Sequence, residues 1–93
     1  MAIIARHLTI TGRVQGVFFR AWTVETGTKL GLAGWVCNRA DGSVEALVQG
    51  DETIVAAFLE QVRVGPSRAR VEDVAVSDHP LGDFTTFEKR GTI

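Results

Sequence analysis

Two glycines and an arginine mark the point where an extended run of the chain passes into a helical pattern. Gly12 ends an alternating stretch, Gly16 divides the connection that follows, and Arg20 lies at or just before the first helical turn. A helix start has unpaired backbone N–H groups and a partial positive charge, and glycine lets the backbone curl around an anion. Arginine adds a permanent charge whose planar fork matches phosphate oxygens. This combination predicts a cradle for a phosphate-sized anion.

The known glycine-rich nucleotide motifs do not fit this segment. After Gly12 the next glycine comes four residues later, so G-x-G-x-x-G cannot be read. No Lys-Ser or Lys-Thr pair follows to complete a Walker loop. The segment therefore suits a lone phosphoryl group better than a nucleotide.

A hairpin is predicted in the middle of the chain. Asp41-Gly42 separates two strand-like runs, and Asp-Gly between alternating apolar runs is a strong hairpin signal. Asn38 stands where the first of these strands ends. Asparagine is common at such places, so its position alone does not separate a turn residue from a functional one.

The hydrophobic periodicity predicts four main strands, a short fifth strand and two helices. The strands cover 5–11, 34–37, 43–49, 70–76 and 84–89. One helix covers 21–30, and the other begins after its N-cap Asp51 and ends at Gly65-Pro66. The order βαββαβ is the ferredoxin-like arrangement of the α+β class, an antiparallel sheet with both helices on one face. The first helix is predicted to place a set of small and apolar residues near one face, namely Ala21, Val24, Thr28 and Gly31.

This element order also predicts where the polar residues meet. In a right-handed β-α-β unit the first and second strands run parallel with another strand between them, so their carboxyl ends lie on the same rim of the sheet. Arg20 follows the end of the first strand, and Asn38 lies at the end of the second. We therefore expect these two residues to face one another across the loop Arg13–Phe19.

The two glycine-containing segments together resemble the acylphosphatase family. The resemblance runs from about Arg6 to Ser77 and rests on Gly12–Arg20, Gly34–Asn38, Asp41-Gly42, Val48-Gln49-Gly50 and Gly65-Pro66-Ser67. It becomes weaker over the tail. There Phe87 and Arg90 are similar to a family ending, whereas Lys89 replaces the expected apolar residue.

The resemblance implies an activity and assigns roles. It implies metal-independent hydrolysis of the carboxyl–phosphate anhydride of acyl phosphates, giving a carboxylate and inorganic phosphate. Arg20 would be the essential phosphate-binding arginine, and Asn38 would hold the attacking water. Close packing of the first helix on the sheet is implied at Gly27. The implied substrate-binding residues are those of the loop, namely Gln15, Gly16, Val17, Phe18, Phe19 and Arg20.

Three other functions are weighed against this one. An acylphosphatase-like domain opens the hydrogenase-maturation carbamoyltransferases, so a phosphate or carbamoyl-phosphate binding module without significant turnover stays open. An RNA-binding module is disfavoured, because the third strand carries no stacking aromatic residue. Covalent catalysis by Cys37 is disfavoured, because a cysteine phosphatase needs an arginine six positions later, where Ser43 stands. Cys37 should also point to the opposite side of its strand from Asn38.

The length, charge and cysteine content of the chain limit the partners that we expect it to have. The length of 93 residues predicts one domain, 1–93. A net charge of −1 and a pI near 6.1 argue against a nucleic-acid or anionic-membrane partner, and no apolar run approaches the ~20 residues of a membrane span. The only cysteine, Cys37, excludes an internal disulfide and suits a cytoplasmic protein. We expect a monomer whose partners are small acyl phosphates and inorganic phosphate.

No metal or other cofactor is expected. His7 and His79 have no companions at metal-ligand spacing, and no pair of carboxylates accompanies the loop. The remaining polar residues near the loop, Arg13, Gln15 and Arg39, are predicted to have solvated side chains at the rim.

Overall fold

The computed structural model describes residues 2–93 and contains the predicted elements in the predicted order. They are β1 (Ile3–Arg13), α1 (Phe19–Lys29), β2 (Ala33–Asn38), β3 (Val44–Asp51), α2 (Glu52–Val64), β4 (Arg70–His79) and β5 (Phe87–Lys89). The strands form one sheet in the order β4-β1-β3-β2-β5. Both helices pack into one hydrophobic core against a single face of the sheet. The ferredoxin-like α+β fold predicted from the sequence is confirmed.

The two strands that end near the loop lie as predicted. β3 pairs antiparallel with both β1 and β2, so β1 and β2 run parallel to each other on either side of it. Their carboxyl ends therefore lie on the same rim of the sheet.

The four main strands form the predicted antiparallel sheet, and the short fifth strand adds a parallel pair at its edge. β5 pairs parallel with β2, with Gly34 opposite Phe87 and Val36 opposite Lys89. The chain leaves β4 at one edge of the sheet and must cross to the other edge before β5 begins. On the way, the Gln49 side chain exchanges two hydrogen bonds of 3.0 and 2.9 Å with the backbone of Gly82. This crossing brings β5 alongside β2 in the same direction, which makes the sheet mixed.

The second helix and the strands follow the sequence pattern closely. Val55, Phe58 and Val62 form the buried face of α2. The Asp51 carboxylate accepts a hydrogen bond of 2.9 Å from the Thr53 N–H, so the predicted N-cap is confirmed. Alternate residues of the strands complete the core, including Leu8, Ile10, Val36, Val44, Ala46 and Val48.

The buried face of α1 differs from the prediction. Phe19, Thr23 and Gly27 are buried, whereas Ala21, Thr28 and Gly31 are exposed and Val24 is only partly buried. The helix has little amphipathic pattern, so tertiary contacts decide which side faces the core. The Thr23 hydroxyl is accommodated there because it donates a hydrogen bond of 2.8 Å to the Phe19 carbonyl.

Gly27 packs closely against the sheet, as the family resemblance implied. A Cβ atom at this position would lie 2.6 Å from Cδ2 of Phe87. The absence of a side chain lets α1 lie directly on β5, and this places the start of the helix beside the end of β2.

Gly34 provides a test of how tightly β2 must approach β3. Its φ is +147°, and a Cβ atom there would lie 1.8 Å from the Leu47 carbonyl oxygen. We expect Gly34→Ala to destabilise the fold by at least about 3 kcal/mol, because backbone strain and overpacking add. In a domain of this size that lowers Tm by more than about 10 °C.

The matched control is Gly91→Ala, since a Cβ atom at Gly91 meets no atom within 4 Å. Thermal melts followed by circular dichroism should show a large loss for Gly34→Ala and almost none for Gly91→Ala. Equal melting temperatures for the two variants would contradict the close approach described here.

Candidate active site

A pocket of about 310 Å³ opens at the rim where β1 and β2 end. Of the seven residues predicted to form the site, six line this pocket: Gln15, Gly16, Phe18, Phe19, Arg20 and Asn38. The seventh, Val17, does not line it, and its side chain is buried in the core. Its backbone still belongs to the loop between β1 and α1. The pocket therefore unites the loop with Asn38 from a strand that lies far away in the sequence.

The backbone of the loop turns sharply at two residues. Gly16 and Phe18 both have left-handed conformations, with φ of +72° and +62°. Successive N–H groups in such a turn converge on a concave site for anions. The N–H groups of residues 15–19 donate no hydrogen bond to any acceptor in residues 2–93. These five N–H groups are therefore unpaired within the described chain.

Three apolar side chains fix the loop to the core. Val14 is fully buried, and Val17 and Phe19 are nearly so. These side chains alternate with Gln15, Gly16 and Phe18, which are more exposed and line the pocket, so the loop is held from its core side. This alternation explains how a short irregular segment keeps a defined shape.

Gln15 joins the loop to the hairpin that carries Asn38. Its side-chain amide donates hydrogen bonds of 2.8 Å to the carbonyl oxygens of both Arg39 and Ser43. The prediction of a solvated side chain at Gln15 was wrong. Its partners lie 24 and 28 residues further along the chain, and no local pattern in the sequence marks them.

The hairpin itself is stabilised by Asp41. The Asp41 carboxylate accepts hydrogen bonds from the Ser43 N–H at 2.9 Å and from the Ser43 hydroxyl at 2.6 Å. These bonds lower the pKa of the Asp41 carboxyl below its ordinary value. The turn predicted at Asp41-Gly42 is present, and it ends β2 at Asn38.

Arg20 lies in the first turn of α1, beside the loop. Its Nη1 donates a hydrogen bond of 3.0 Å to the Arg90 carbonyl oxygen, and it forms no ion pair within residues 2–93. The residues lining the pocket include a second cation, Lys89, and no carboxylate. The site therefore combines unpaired backbone donors with positive charge that nothing in the described chain neutralises.

The residues after β5 run along β2 and past Asn38. The Arg90 N–H donates to the Val36 carbonyl at 2.8 Å, and the Ile93 N–H donates to the Asn38 carbonyl at 3.0 Å. The Asn38 backbone is held in this way, while its half-buried side-chain amide makes no hydrogen bond with residues 2–93. That amide is free to bind a ligand or a water molecule.

Cys37 lies on the other face of the sheet and does not line the pocket. Its thiol is buried and lies 3.7 Å from Oε1 of Glu45. Burial, and then the negative charge of Glu45, raise the pKa of the Cys37 thiol above its ordinary value. Such a thiol stays protonated at neutral pH, which disfavours nucleophilic attack.

Glu45 organises the polar residues of this outer face. Its Oε2 lies 2.6 Å from Nε2 of His7 and 3.5 Å from Nη1 of Arg39. Arg39 also lies 3.9 Å from the Asp41 carboxylate, so its side chain is paired, not merely solvated. None of these side chains lines the pocket, so Arg20 and Lys89 are the cations that do.

Two further properties concern the described part of the chain. Among residues 2–93 no three His, Cys, Asp or Glu side chains are grouped so that they could hold a metal ion. Within the same residues, no helix has the length and apolar content needed to cross a membrane.

The sheet order and the two helices on one face define a ferredoxin-like α+β protein. Comparison with known sequences makes the assignment specific: the chain belongs to the acylphosphatase family, whose family model matches residues 6–89. The acylphosphatase of Acidiphilium cryptum is 54% identical over 90 residues, which cover 97% of this chain and 99% of that protein.

Solved structures agree with this assignment. The crystal structure of acylphosphatase from Bacillus subtilis superposes with a TM-score of 0.91 at 36% identity, covering 96% of this chain and 99% of that one. Full-length HypF in its phosphate- and nucleotide-bound form also superposes with a TM-score of 0.91, at 28% identity. That match covers 98% of this chain but only 12% of HypF.

The position of Cys37 leads to a prediction about its reactivity. Because the thiol is buried and its pKa is raised, iodoacetamide at neutral pH should alkylate the native protein far more slowly than the unfolded one. Cys37→Ala should keep kcat for an acyl phosphate within a few-fold, with a modest change in stability. Mass spectrometry and steady-state kinetics provide the two measurements. A collapse of kcat in a folded Cys37→Ala variant would revive covalent catalysis.

Proposed function

We propose that this protein hydrolyses the carboxyl–phosphate anhydride of acyl phosphates to a carboxylate and inorganic phosphate. The observation that carries the proposal is the pocket itself. A loop with five unpaired N–H groups, a guanidinium without a carboxylate partner and a free asparagine amide meet at one pocket of about 310 Å³. The membership of the acylphosphatase family supports the same activity.

The loop and Arg20 would hold the phosphoryl group. The N–H groups of residues 15–19 would donate to its oxygens, and the Arg20 guanidinium would balance the negative charge that they carry. Preorganised donors of this kind stabilise the transition state of phosphoryl transfer without reorganising during the reaction. The hydrogen bond from Arg20 to the Arg90 carbonyl fixes the direction of the guanidinium in advance.

Asn38 would position the water for in-line attack. The water oxygen forms the new bond to phosphorus as the bond from phosphorus to the acyl oxygen breaks, and the carboxylate leaves with the bonding pair. A carboxylate is stable at neutral pH, so the leaving group needs no general acid. No carboxylate lines the pocket to act as a base. We propose that a phosphoryl oxygen of the substrate takes the proton from the water.

The charges of the site and of the whole chain also bear on the metal requirement and on the kind of partner. We propose catalysis without a metal ion, because the loop donors and Arg20 can supply the charge stabilisation that a metal would otherwise provide. The near-neutral net charge of −1 favours a small-molecule partner over nucleic acid. We also propose a monomer in the cytoplasm, which suits a chain with one buried, unpaired cysteine.

The alternative is a module that binds phosphate or carbamoyl phosphate without significant turnover. The superposition on part of HypF favours this candidate, since that protein is much longer and was solved with phosphate bound. Binding alone does not require a water held by Asn38. Turnover of a simple acyl phosphate by the pure protein distinguishes the two functions.

The first experiment measures hydrolysis of benzoyl phosphate by the purified protein with and without EDTA. We expect multiple turnovers at the same rate in both conditions, and much slower hydrolysis of p-nitrophenyl phosphate, whose ester leaving group is less activated. Binding of phosphate without turnover would support the binding module. Loss of activity in EDTA that a divalent cation restores would contradict the metal-free mechanism.

The second experiment separates the roles of the two polar residues. A ligand that binds only the folded state stabilises it by about 2.7 kcal/mol at 100 times its dissociation constant, which raises Tm by roughly 10 °C or more here. Arg20→Ala should remove most of the shift caused by inorganic phosphate, measured against sodium chloride at equal ionic strength. Asn38→Ala should keep that shift but lower kcat by about 10² to 10³.

Arg20→Lys is the graded control for this experiment. An ammonium keeps the charge but lacks the planar fork, so the phosphate-induced shift should return only in part. Equal shifts for the wild type and Arg20→Ala would show that Arg20 does not hold the phosphoryl group. A loss of phosphate binding in Asn38→Ala would contradict its assignment to water.

A further inference from the structure

We propose that the ring of Phe18 binds the acyl group of the substrate, so that the enzyme favours acyl phosphates with an aryl or bulky apolar acyl group. This inference rests on the proposed function and names the substrate class of the same site. It concerns the side chain of Phe18, which the reaction at phosphorus does not use.

Phe18 is the exception among the apolar residues of its loop. Its neighbours Val14, Val17 and Phe19 are at most 5% exposed, whereas Phe18 is 77% exposed. Within residues 2–93 it forms no aromatic pair, although Phe19 packs against Trp22 with ring centroids 5.5 Å apart. The Phe18 ring therefore contributes little to the core and presents most of its surface to solvent.

The backbone does not explain the presence of a ring at this position. Among residues 2–93 Phe18 is the one non-glycine residue with a positive φ. A bulky residue in the left-handed region is strained by roughly 1–2 kcal/mol, and glycine would adopt the same conformation without that strain. Neither the packing of the core nor the backbone geometry of the loop therefore requires a ring here.

The pocket has room for an acyl group beside the ring. Phe18 and Ala21 line it together with Arg20, and the volume of about 310 Å³ exceeds that of a phosphoryl group. With the phosphoryl oxygens on the loop N–H groups, the acyl group must project towards the open side of the pocket. Phe18 and the small side chain of Ala21 provide apolar surface in this pocket, beside the polar side chains of Gln15, Arg20 and Asn38.

The chemistry of this surface selects a class of acyl group. An exposed aromatic ring gains free energy when a flat or branched apolar group covers it, through burial of apolar area and ring–ring contact. A short acyl group such as acetyl cannot reach across the ring. The expected order of kcat/KM is therefore benzoyl phosphate above acetyl phosphate, with the difference depending on Phe18.

The test measures the ratio of kcat/KM for benzoyl phosphate to that for acetyl phosphate in wild type, Phe18→Gly and Phe18→Tyr. Glycine tolerates the left-handed backbone, and any general change in the loop affects both substrates and cancels in the ratio. We expect Phe18→Gly to lower the ratio about three- to tenfold and Phe18→Tyr to restore it. The loss should appear mainly in KM for benzoyl phosphate, since the contact is made equally in the ground state and transition state.

Val64→Ala is the matched control, because Val64 is 74% exposed and does not line this pocket. It should leave the ratio at the wild-type value. An unchanged ratio in Phe18→Gly would overturn the inference, even if both rates fell. Hydrolysis of acetyl phosphate by the wild type supports the proposed function independently of the ratio, so failure of one proposal is distinguishable from failure of the other.

Discussion

The organisation of this protein depends on a loop whose backbone donors have no partners within the described chain. Unpaired N–H groups are unfavourable when they are shielded from water, so a chain keeps them together only where the surrounding structure holds them. Here three buried side chains, Val14, Val17 and Phe19, hold the loop from the core side. Gln15 holds it from the hairpin side through two backbone carbonyls. The same contacts that shape the loop also set its distance from Asn38.

The alternation of side chains along β2 separates two kinds of chemistry. Asn38 faces the pocket, whereas its neighbour Cys37 faces the opposite side of the sheet and contacts Glu45. Glu45 also contacts His7 and Arg39, so the carboxylate on this face has polar partners. The pocket face has cations and no carboxylate. Because neighbouring residues of a strand point to opposite faces, the positively charged pocket and the polar residues around Glu45 lie on different sides of the sheet.

The short edge strand β5 contributes more to the site than its three residues suggest. Phe87 packs against Gly27 and draws α1 onto the sheet, which brings the start of the helix to the end of β2. The residues that follow supply the Arg90 carbonyl to the Arg20 guanidinium. Lys89, between them, lines the pocket. The charged residue that departs from the family resemblance therefore lies at the site itself.

The sequence by itself determined the element order, the hairpin at Asp41-Gly42, the cap at Asp51 and the common rim of β1 and β2. Each follows from local chemistry or from the handedness of a β-α-β unit, which short patterns encode. Only the tertiary structure decided which face of α1 is buried, because that helix has almost no amphipathic pattern. It also decided the direction of β5, the partners of Gln15 and the contact between Arg20 and Arg90, which lie 70 residues apart. Such contacts depend on how finished elements pack, and no periodicity within one element records a partner so far along the chain.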